Sequence, residues 1–200
     1  MKPRLYTDQK ITMLVNRYQV YTPGDNGEKG ERIAFVEQER FKFKEKVHFY
    51  ADETKQQELF SFRAEKVLDI HGKYFVEDVD GNLLGYFQKD FKTSLIKSKW
   101  DLYSADDSLQ FSITENNLAL AILRRYIGFL PFVGDLLELI TILFRYHFVF
   151  LSGGAAVGKY EKTTLIRDHY CLSVTDEAYA KLDQRVFIAM SVALDALQSR

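Results

Sequence analysis

A strand-turn-strand pattern that occurs three times constrains the fold of this chain most. Each copy begins with a basic residue followed by Tyr18, Tyr74 or Tyr146, runs through apolar residues to a glycine-bearing turn, and enters a second short strand. A repeated hairpin cannot bury its own apolar face, so the copies must pack on one another. The pattern therefore predicts a mainly β fold in which antiparallel strands form one closed sheet.

An apolar helix is predicted near the end of the sequence. Thr175 or Asp176 is a suitable N-cap, and the helix turns apolar all round over residues 186–194. A helix without a polar face is enclosed by protein or by lipid. About 18 residues extend for about 27 Å, which matches the height of a barrel wall but is too short to span a bilayer. We therefore expect the strands to surround this helix.

Composition favours a single domain over residues 1–200, since no Pro/Ser-rich linker divides the chain. The 27 basic and 28 acidic residues nearly cancel, so no overall charge attracts nucleic acid, and none is expected as a partner. Cys171 is the only cysteine, and the first residues lack the apolar stretch of a secretory signal. These features predict a cytoplasmic protein, peripheral to the membrane if it binds one.

Residues 118–144 interrupt the strand pattern with two apolar helical stretches, separated by Gly128 and Pro131. Charged residues interrupt the segment too often for a membrane span. One interpretation is that this insertion is buried over a barrel end or at an interface with a second copy or another protein. The other is shallow membrane docking. The residues that would make such contacts are Arg124, Arg125, Phe129, Leu130, Phe132 and Leu136.

Two further groups of residues carry a family resemblance. Leu5 and Tyr6 are followed by Gln9, Lys10 and Ile11, and a later hairpin contains Gly81, Gly85 and Lys89. The third feature along the chain is the apolar segment over residues 182–197, and the resemblance depends on the order of these features. In these features the chain resembles the tubby-like superfamily, and most closely its LURP-one-related branch, which shares a fold with phospholipid scramblases.

The resemblance implies a barrel of about twelve strands threaded by a hydrophobic C-terminal α-helix. Tubby proteins bind phosphoinositide headgroups through basic residues on the barrel surface, scramblases act at membranes in a calcium-linked way, and plant members of this branch are tied to defence. The insertion at 118–144 departs from the family pattern, which has a short connection there. No phosphoinositide-binding residue of the family aligns with a specific position of this chain.

Two lysine clusters are candidate binding sites for anionic headgroups. In the first cluster, lysines alternate with Phe41 and Phe43, and the second precedes Trp100. The lysines are Lys42, Lys44 and Lys46 in the first cluster, and Lys89, Lys92, Lys97 and Lys99 in the second. Alternation alone is also typical of a solvated strand face. On a membrane, each cation would contribute about 1 kcal/mol.

No group of residues in the sequence predicts catalysis, a cofactor or a metal. Residues 153–159 imitate a phosphate-binding loop, but Tyr160 replaces the Ser or Thr that holds magnesium, so a hairpin is the better interpretation. Asp78 and Asp80 begin like a calcium loop that lacks its later ligands. His169 and Cys171 share the strand face that is predicted to lie opposite the buried one, and no third residue orients them.

We therefore expect a non-enzymatic binding module for anionic phospholipid or a membrane surface. The alternative is a protein-protein interaction or scaffold domain that uses the insertion, and scramblase-like lipid handling is the less favoured variant.

Overall fold

A computed structural model describes residues 1–11, 15–39, 46–65, 72–90, 99–115, 147–164 and 168–198. Twelve strands and two helices occupy these residues. The strands are β1 (Lys2–Ile11), β2 (Val15–Pro23), β3 (Lys29–Glu39), β4 (Lys46–Tyr50), β5 (Glu58–Ala64), β6 (Lys73–Asp78), β7 (Leu83–Lys89), β8 (Lys99–Ser104), β9 (Leu109–Glu115), β10 (His147–Ser152), β11 (Ala155–Lys162) and β12 (Asp168–Val174). The helices are α1 (Asp176–Tyr179) and α2 (Gln184–Gln198).

Each strand pairs antiparallel with the strand before and after it, and β12 returns to pair with β1. Tyr6 of β1 lies opposite Cys171 of β12 at this closure. The predicted closed antiparallel barrel of about twelve strands is therefore confirmed. The predicted helical insertion at 118–144 lies outside the described residues.

The three copies of the sequence pattern give three hairpins, β2–β3, β6–β7 and β10–β11, and two strands lie between each hairpin and the next. Side chains alternate across each strand as the pleat requires. In β2, Tyr18 and Val20 are fully buried on the inner face, whereas Arg17 on the outer face is exposed. This alternation gives the sheet an apolar lining.

Helix α2 runs through the middle of that lining. Val186, Phe187 and Ala193 have no exposed surface, and Met190 is equally enclosed. A hydrogen bond fixes the helix to the wall, since the Tyr160 hydroxyl of β11 donates to the Ser191 carbonyl over 2.9 Å. The Ser191 hydroxyl donates within the helix, to the Ile188 carbonyl over 2.8 Å. The predicted enclosure of the C-terminal helix is confirmed.

The strand directions define two rims of the barrel. At the hairpin rim, turns 24–28, 51–57, 79–82, 105–108 and 153–154 join consecutive strands, and segment 175–183 leads from β12 into α2. At the opposite end, which we call the C-terminal rim, β1, β3, β5, β7, β9 and β11 end and α2 finishes. The strand pairs at this rim flank segments 12–14, 40–45, 65–72, 90–98, 116–146 and 163–167.

Gly85 of β7 lies where the sheet approaches α2 most closely. A Cβ atom at this position would lie 2.6 Å from the Tyr103 carbonyl oxygen and 3.1 Å from Cγ2 of Val186. The first distance is far inside van der Waals contact, and both neighbours belong to the packed wall and core. Only glycine therefore fits without displacing backbone.

We expect Gly85→Ala to lower the free energy of unfolding by about 2 kcal/mol or more, because β7 or α2 must move to admit the methyl group. Chemical denaturation followed by circular dichroism measures the loss. Gly24→Ala is the matched control, since a Cβ there meets no atom closer than 3.5 Å. Equal effects of the two substitutions would contradict close packing at Gly85.

Candidate functional site

The sequences that connect the strands at the two rims differ in charge. The connecting segments of the hairpin rim contain ten acidic and two basic residues, whereas those flanked by strands of the C-terminal rim contain six acidic and ten basic residues. The acidic residues of the hairpin rim are Asp25, Glu28, Asp52, Glu53, Asp80, Asp106, Asp107, Asp176, Glu177 and Asp183. The basic residues in the C-terminal-rim segments are Arg40, Lys42, Lys44, Lys66, Lys92, Lys97, Arg124, Arg125, Arg145 and Arg167. The described turns of the hairpin rim are therefore strongly acidic, whereas the sequences between the strand ends of the opposite rim are mainly basic.

The described lysines of both predicted clusters lie at the C-terminal rim. Lys46 begins β4 and is exposed, Lys89 ends β7, and Lys99 begins β8. The ammonium group of Lys89 lies 5.5 Å from the centre of the Trp100 ring. Lys99 is 3.3 Å from a carboxylate oxygen of Asp90 and 3.6 Å from one of Asp101, so its charge is partly balanced.

The other predicted contact residues lie outside the described residues. They are Lys42, Lys44, Lys92, Lys97, Arg124, Arg125, Phe129, Leu130, Phe132 and Leu136. The strands that flank their segments all open on the C-terminal rim: β3 and β4, β7 and β8, and β9 and β10. The strand ends that flank both clusters and the apolar insertion thus all lie at one end of the barrel.

Lys73 is a cation at this rim that the sequence analysis missed. It begins β6, and its ammonium group lies 4.0 Å from the centre of the Tyr86 ring. A cation over an aromatic face is stabilised by the ring quadrupole. Lys73 is not part of a lysine cluster in the sequence, so only the strand directions could have identified it as a cation of this rim.

A groove of about 820 Å³ lies on the barrel wall over β1, β2, β3 and β12. Sequence reasoning missed it because its lining comes from distant parts of the chain. The lining residues are Asp8, Gln9, Lys10, Arg17, Gln19, Phe35, Glu37, Glu53, Asp168 and His169. Its volume lies in the range of small-molecule sites, about 300–1,000 Å³.

The carboxylates of this groove are held by basic side chains. Glu37 accepts hydrogen bonds from Lys55 and Arg17, and these lower the pKa of its carboxyl. Glu53 accepts from Arg32 over 2.5 Å. Carboxylates engaged in this way are poor ligands for a metal ion, and the described parts of the chain contain no group of three His, Cys, Asp or Glu residues that could hold one.

His169 in the groove has an orienting partner that the sequence did not reveal. Its Nδ1 lies 2.5 Å from Oδ1 of Asp8, which also accepts a hydrogen bond from Lys29. Cys171, on the same face of β12, is only 6% exposed, although the sequence placed it opposite the buried face. Burial raises the pKa of the Cys171 thiol, which disfavours the thiolate that a nucleophile needs. The geometry does not favour a nucleophile-base pair at these two residues.

The two segments that resemble a phosphate-binding loop and a calcium loop are hairpin turns. Gly153 and Gly154 have φ angles of 56° and 85° in the turn between β10 and β11, and Lys159 lies within β11. Asp78 accepts hydrogen bonds from the backbone N–H groups of Asp80 and Asn82 and so closes the β6–β7 turn. The predicted hairpin interpretation holds at both sites.

A buried polar cluster holds the end of α2 inside the C-terminal rim. The Tyr170 hydroxyl donates to Asp195 over 2.5 Å, the Tyr18 hydroxyl donates to Asp195 over 3.0 Å, and Gln9 donates to Tyr18 over 3.1 Å. Burial raises the pKa of the Asp195 carboxyl, and the two phenol hydrogen bonds only partly oppose this effect. Asp195 thus anchors the helix to β2 and β12.

This cluster makes stability depend on pH. Because the folded state binds the Asp195 proton more tightly than the unfolded state does, its contribution to stability is largest at low pH and falls as pH rises through the raised pKa. We expect Asp195→Asn to become more stable relative to the unchanged protein as pH rises above about 4, the ordinary pKa of an Asp side chain. Urea unfolding at several pH values measures the difference.

Asp25→Asn, in the exposed β2–β3 turn, is the control, and its stability curve should run parallel to that of the unchanged protein. If the plot of stability against pH for Asp195→Asn also runs parallel to that of the unchanged protein, the pKa of Asp195 does not differ between the folded and unfolded states.

The fold and these sites can now be compared with known proteins. No curated protein and no solved structure matches the chain. None of the helices among the described residues has both the length and the apolar character needed to cross a membrane. The model of the LURP-one-related family matches residues 32–195, which include most of β3, all of β4 to β12 and most of α2. The chain therefore belongs to the LURP-one-related family, within the tubby-like superfamily.

Proposed function

We propose that this protein is a non-enzymatic binding module that docks on anionic membrane surfaces through its C-terminal rim. One observation carries the proposal: the described strands that flank both lysine-rich connections and the apolar insertion have their adjoining ends at the C-terminal rim. A barrel can touch a flat anionic surface with one end only. Only side chains at that end then contribute to the binding energy. Membership in a superfamily whose tubby members bind phosphoinositides supports the same interpretation.

The acidic hairpin rim supports a single orientation. Anionic lipid headgroups repel carboxylates and attract Lys and Arg, and these forces extend over about 8–10 Å at physiological salt. The barrel would approach with the C-terminal rim first. Its hairpin rim would then face away from the membrane.

The exposed Lys46 and its neighbours Lys42 and Lys44 provide the test. Replacing the three by Gln removes three cations at about 1 kcal/mol each, so we expect affinity for vesicles of phosphatidylcholine and phosphatidylserine to fall about 100-fold. Liposome flotation at several salt concentrations measures the partition. Vesicles of phosphatidylcholine alone should bind neither protein.

The matched control replaces three lysines of the hairpin end by Gln: Lys2, Lys55 and Lys181. This triple variant loses the same charge, and its vesicle affinity should stay close to that of the unchanged protein. The proposal fails if the unchanged protein does not float with anionic vesicles at low salt, or if the two triple variants lose affinity equally.

The alternative function, a protein-protein interface formed by residues 118–144, stays a prediction, because those residues lie outside the described part of the chain.

A further inference from the structure

The groove on the barrel wall contains a row of charged side chains in which positive charge is in excess. Lys10 of β1 lies opposite Arg17 of β2, and Arg17 lies opposite Glu37 of β3. Arg17 donates to one oxygen of Glu37 over 2.7 Å, and Lys55 donates to the other. Within the described residues, the exposed Lys10 forms no ion pair. Three cations therefore share the single carboxylate of Glu37.

Lys10 and Arg17 repel each other across the two strands. Residues directly opposite on antiparallel strands have Cβ atoms about 4.5–5.5 Å apart, and like charges there are destabilising. Both side chains line the groove. An anion between them would replace the repulsion with charge-assisted hydrogen bonds, which are stronger than hydrogen bonds between neutral groups. This end of the groove therefore suits one negatively charged group.

The other carboxylates of the groove limit the charge that a ligand can carry. Asp8, Glu53 and Asp168 also line it. Their basic partners are, in turn, Lys29, Arg32 and Lys162. A second or third negative charge on the ligand would approach carboxylates whose partners are already engaged, and a cationic ligand would have to displace one of those partners. A ligand with a single negative charge is therefore favoured.

Two of these carboxylates are oriented to accept hydrogen bonds from the rest of a ligand. Arg32 and Gln19 both donate to Oε1 of Glu53, over 2.5 Å and 2.8 Å. Nδ1 of His169 lies 2.5 Å from Oδ1 of Asp8. A carboxylate can accept about four hydrogen bonds, so the second oxygen of each keeps lone pairs in a fixed position. A hydroxyl group can donate to such an oxygen and accept from an N–H group at the same time.

The β4–β5 turn gives this part of the wall the shape of a recess. Glu53 belongs to that turn, and its bonds to Arg32 of β3 and Gln19 of β2 hold the turn against the neighbouring strands. Phe35 lies on the outer face of β3, yet it is only 2% exposed. The resulting volume of about 820 Å³ is large enough for a ligand of the size of a sugar.

We propose that the groove binds a small organic acid that carries one negative charge and several hydroxyl groups, such as a sugar acid. The carboxylate of the ligand would lie between Lys10 and Arg17. Its hydroxyl groups would contact Asp8 and Glu53. This site lies on the outer wall and does not use the lysine clusters of the C-terminal rim, so it goes beyond membrane docking and neither proposal depends on the other.

The probe is D-glucuronate, titrated into the isotope-labelled full chain and followed by NMR. Signals of the Gln19 side-chain amide and of the backbone amides of β1 and β2 report on the groove. We expect glucuronate to shift these signals. D-glucose lacks the charge and acetate lacks the hydroxyl groups, so each should bind about tenfold more weakly or worse. Rising salt should weaken glucuronate binding.

Single substitutions test the cation pair. Lys10→Gln removes one positive charge from the site, and we expect it to weaken glucuronate binding about tenfold, whereas Lys10→Arg should retain most of the affinity. Lys159→Gln is the matched control, because Lys159 is an exposed cation of β11 outside the lining of the groove. Its affinity should equal that of the unchanged protein.

Four outcomes would overturn the proposal. Glucuronate may shift no signal of the groove, glucose or acetate may bind as tightly as glucuronate, or Lys10→Gln and Lys159→Gln may lose affinity equally. The fourth uses inositol trisphosphate as a competitor. If it displaces glucuronate at a lower concentration than glucuronate itself requires, the groove prefers several negative charges and the singly charged ligand is excluded.

Discussion

Enclosure of α2 by the sheet is the interaction on which the rest of this structure depends. Fully burying a large apolar side chain contributes about 1.5–3 kcal/mol, and α2 supplies Val186, Phe187, Met190 and Leu194 to the barrel interior. Without the helix, the inner faces of twelve strands would surround a cavity. Without the closed wall, an almost wholly apolar helix would face water. The inward positions of the strands, the close approach at Gly85 and the anchor at Asp195 all follow from this mutual dependence.

The closed sheet and its helix could be predicted from the sequence because both depend on local patterns. Alternating apolar residues around Tyr18 and Tyr74 indicated strands, and the apolar run at 186–194 required enclosure. The number of strands came from the family resemblance. The position of Cys171 was partly wrong, because packing between neighbouring strands buries an outer-face side chain that alternation alone would expose.

The candidate sites were less predictable because they combine residues that are distant in the chain. The groove joins Asp8 and Arg17 to Glu53 and His169, and no spacing in the sequence connects them. The orienting contact between Asp8 and His169 depends on the pairing of β1 with β12. The lysine clusters were visible locally, but only the strand directions show that the strands flanking them end at the same rim.

The pairing of β1 with β12 has a consequence for biosynthesis. Lys2 lies opposite Val174, so the first strand cannot find its last neighbour until nearly the whole barrel has left the ribosome, and α2 emerges later still. Contacts between such distant parts of a chain form slowly, and strands that wait for a neighbour can pair with those of other molecules. The nascent chain therefore has a long period of vulnerability to aggregation, in which chaperone protection would matter most for β1 and the inner faces awaiting the helix.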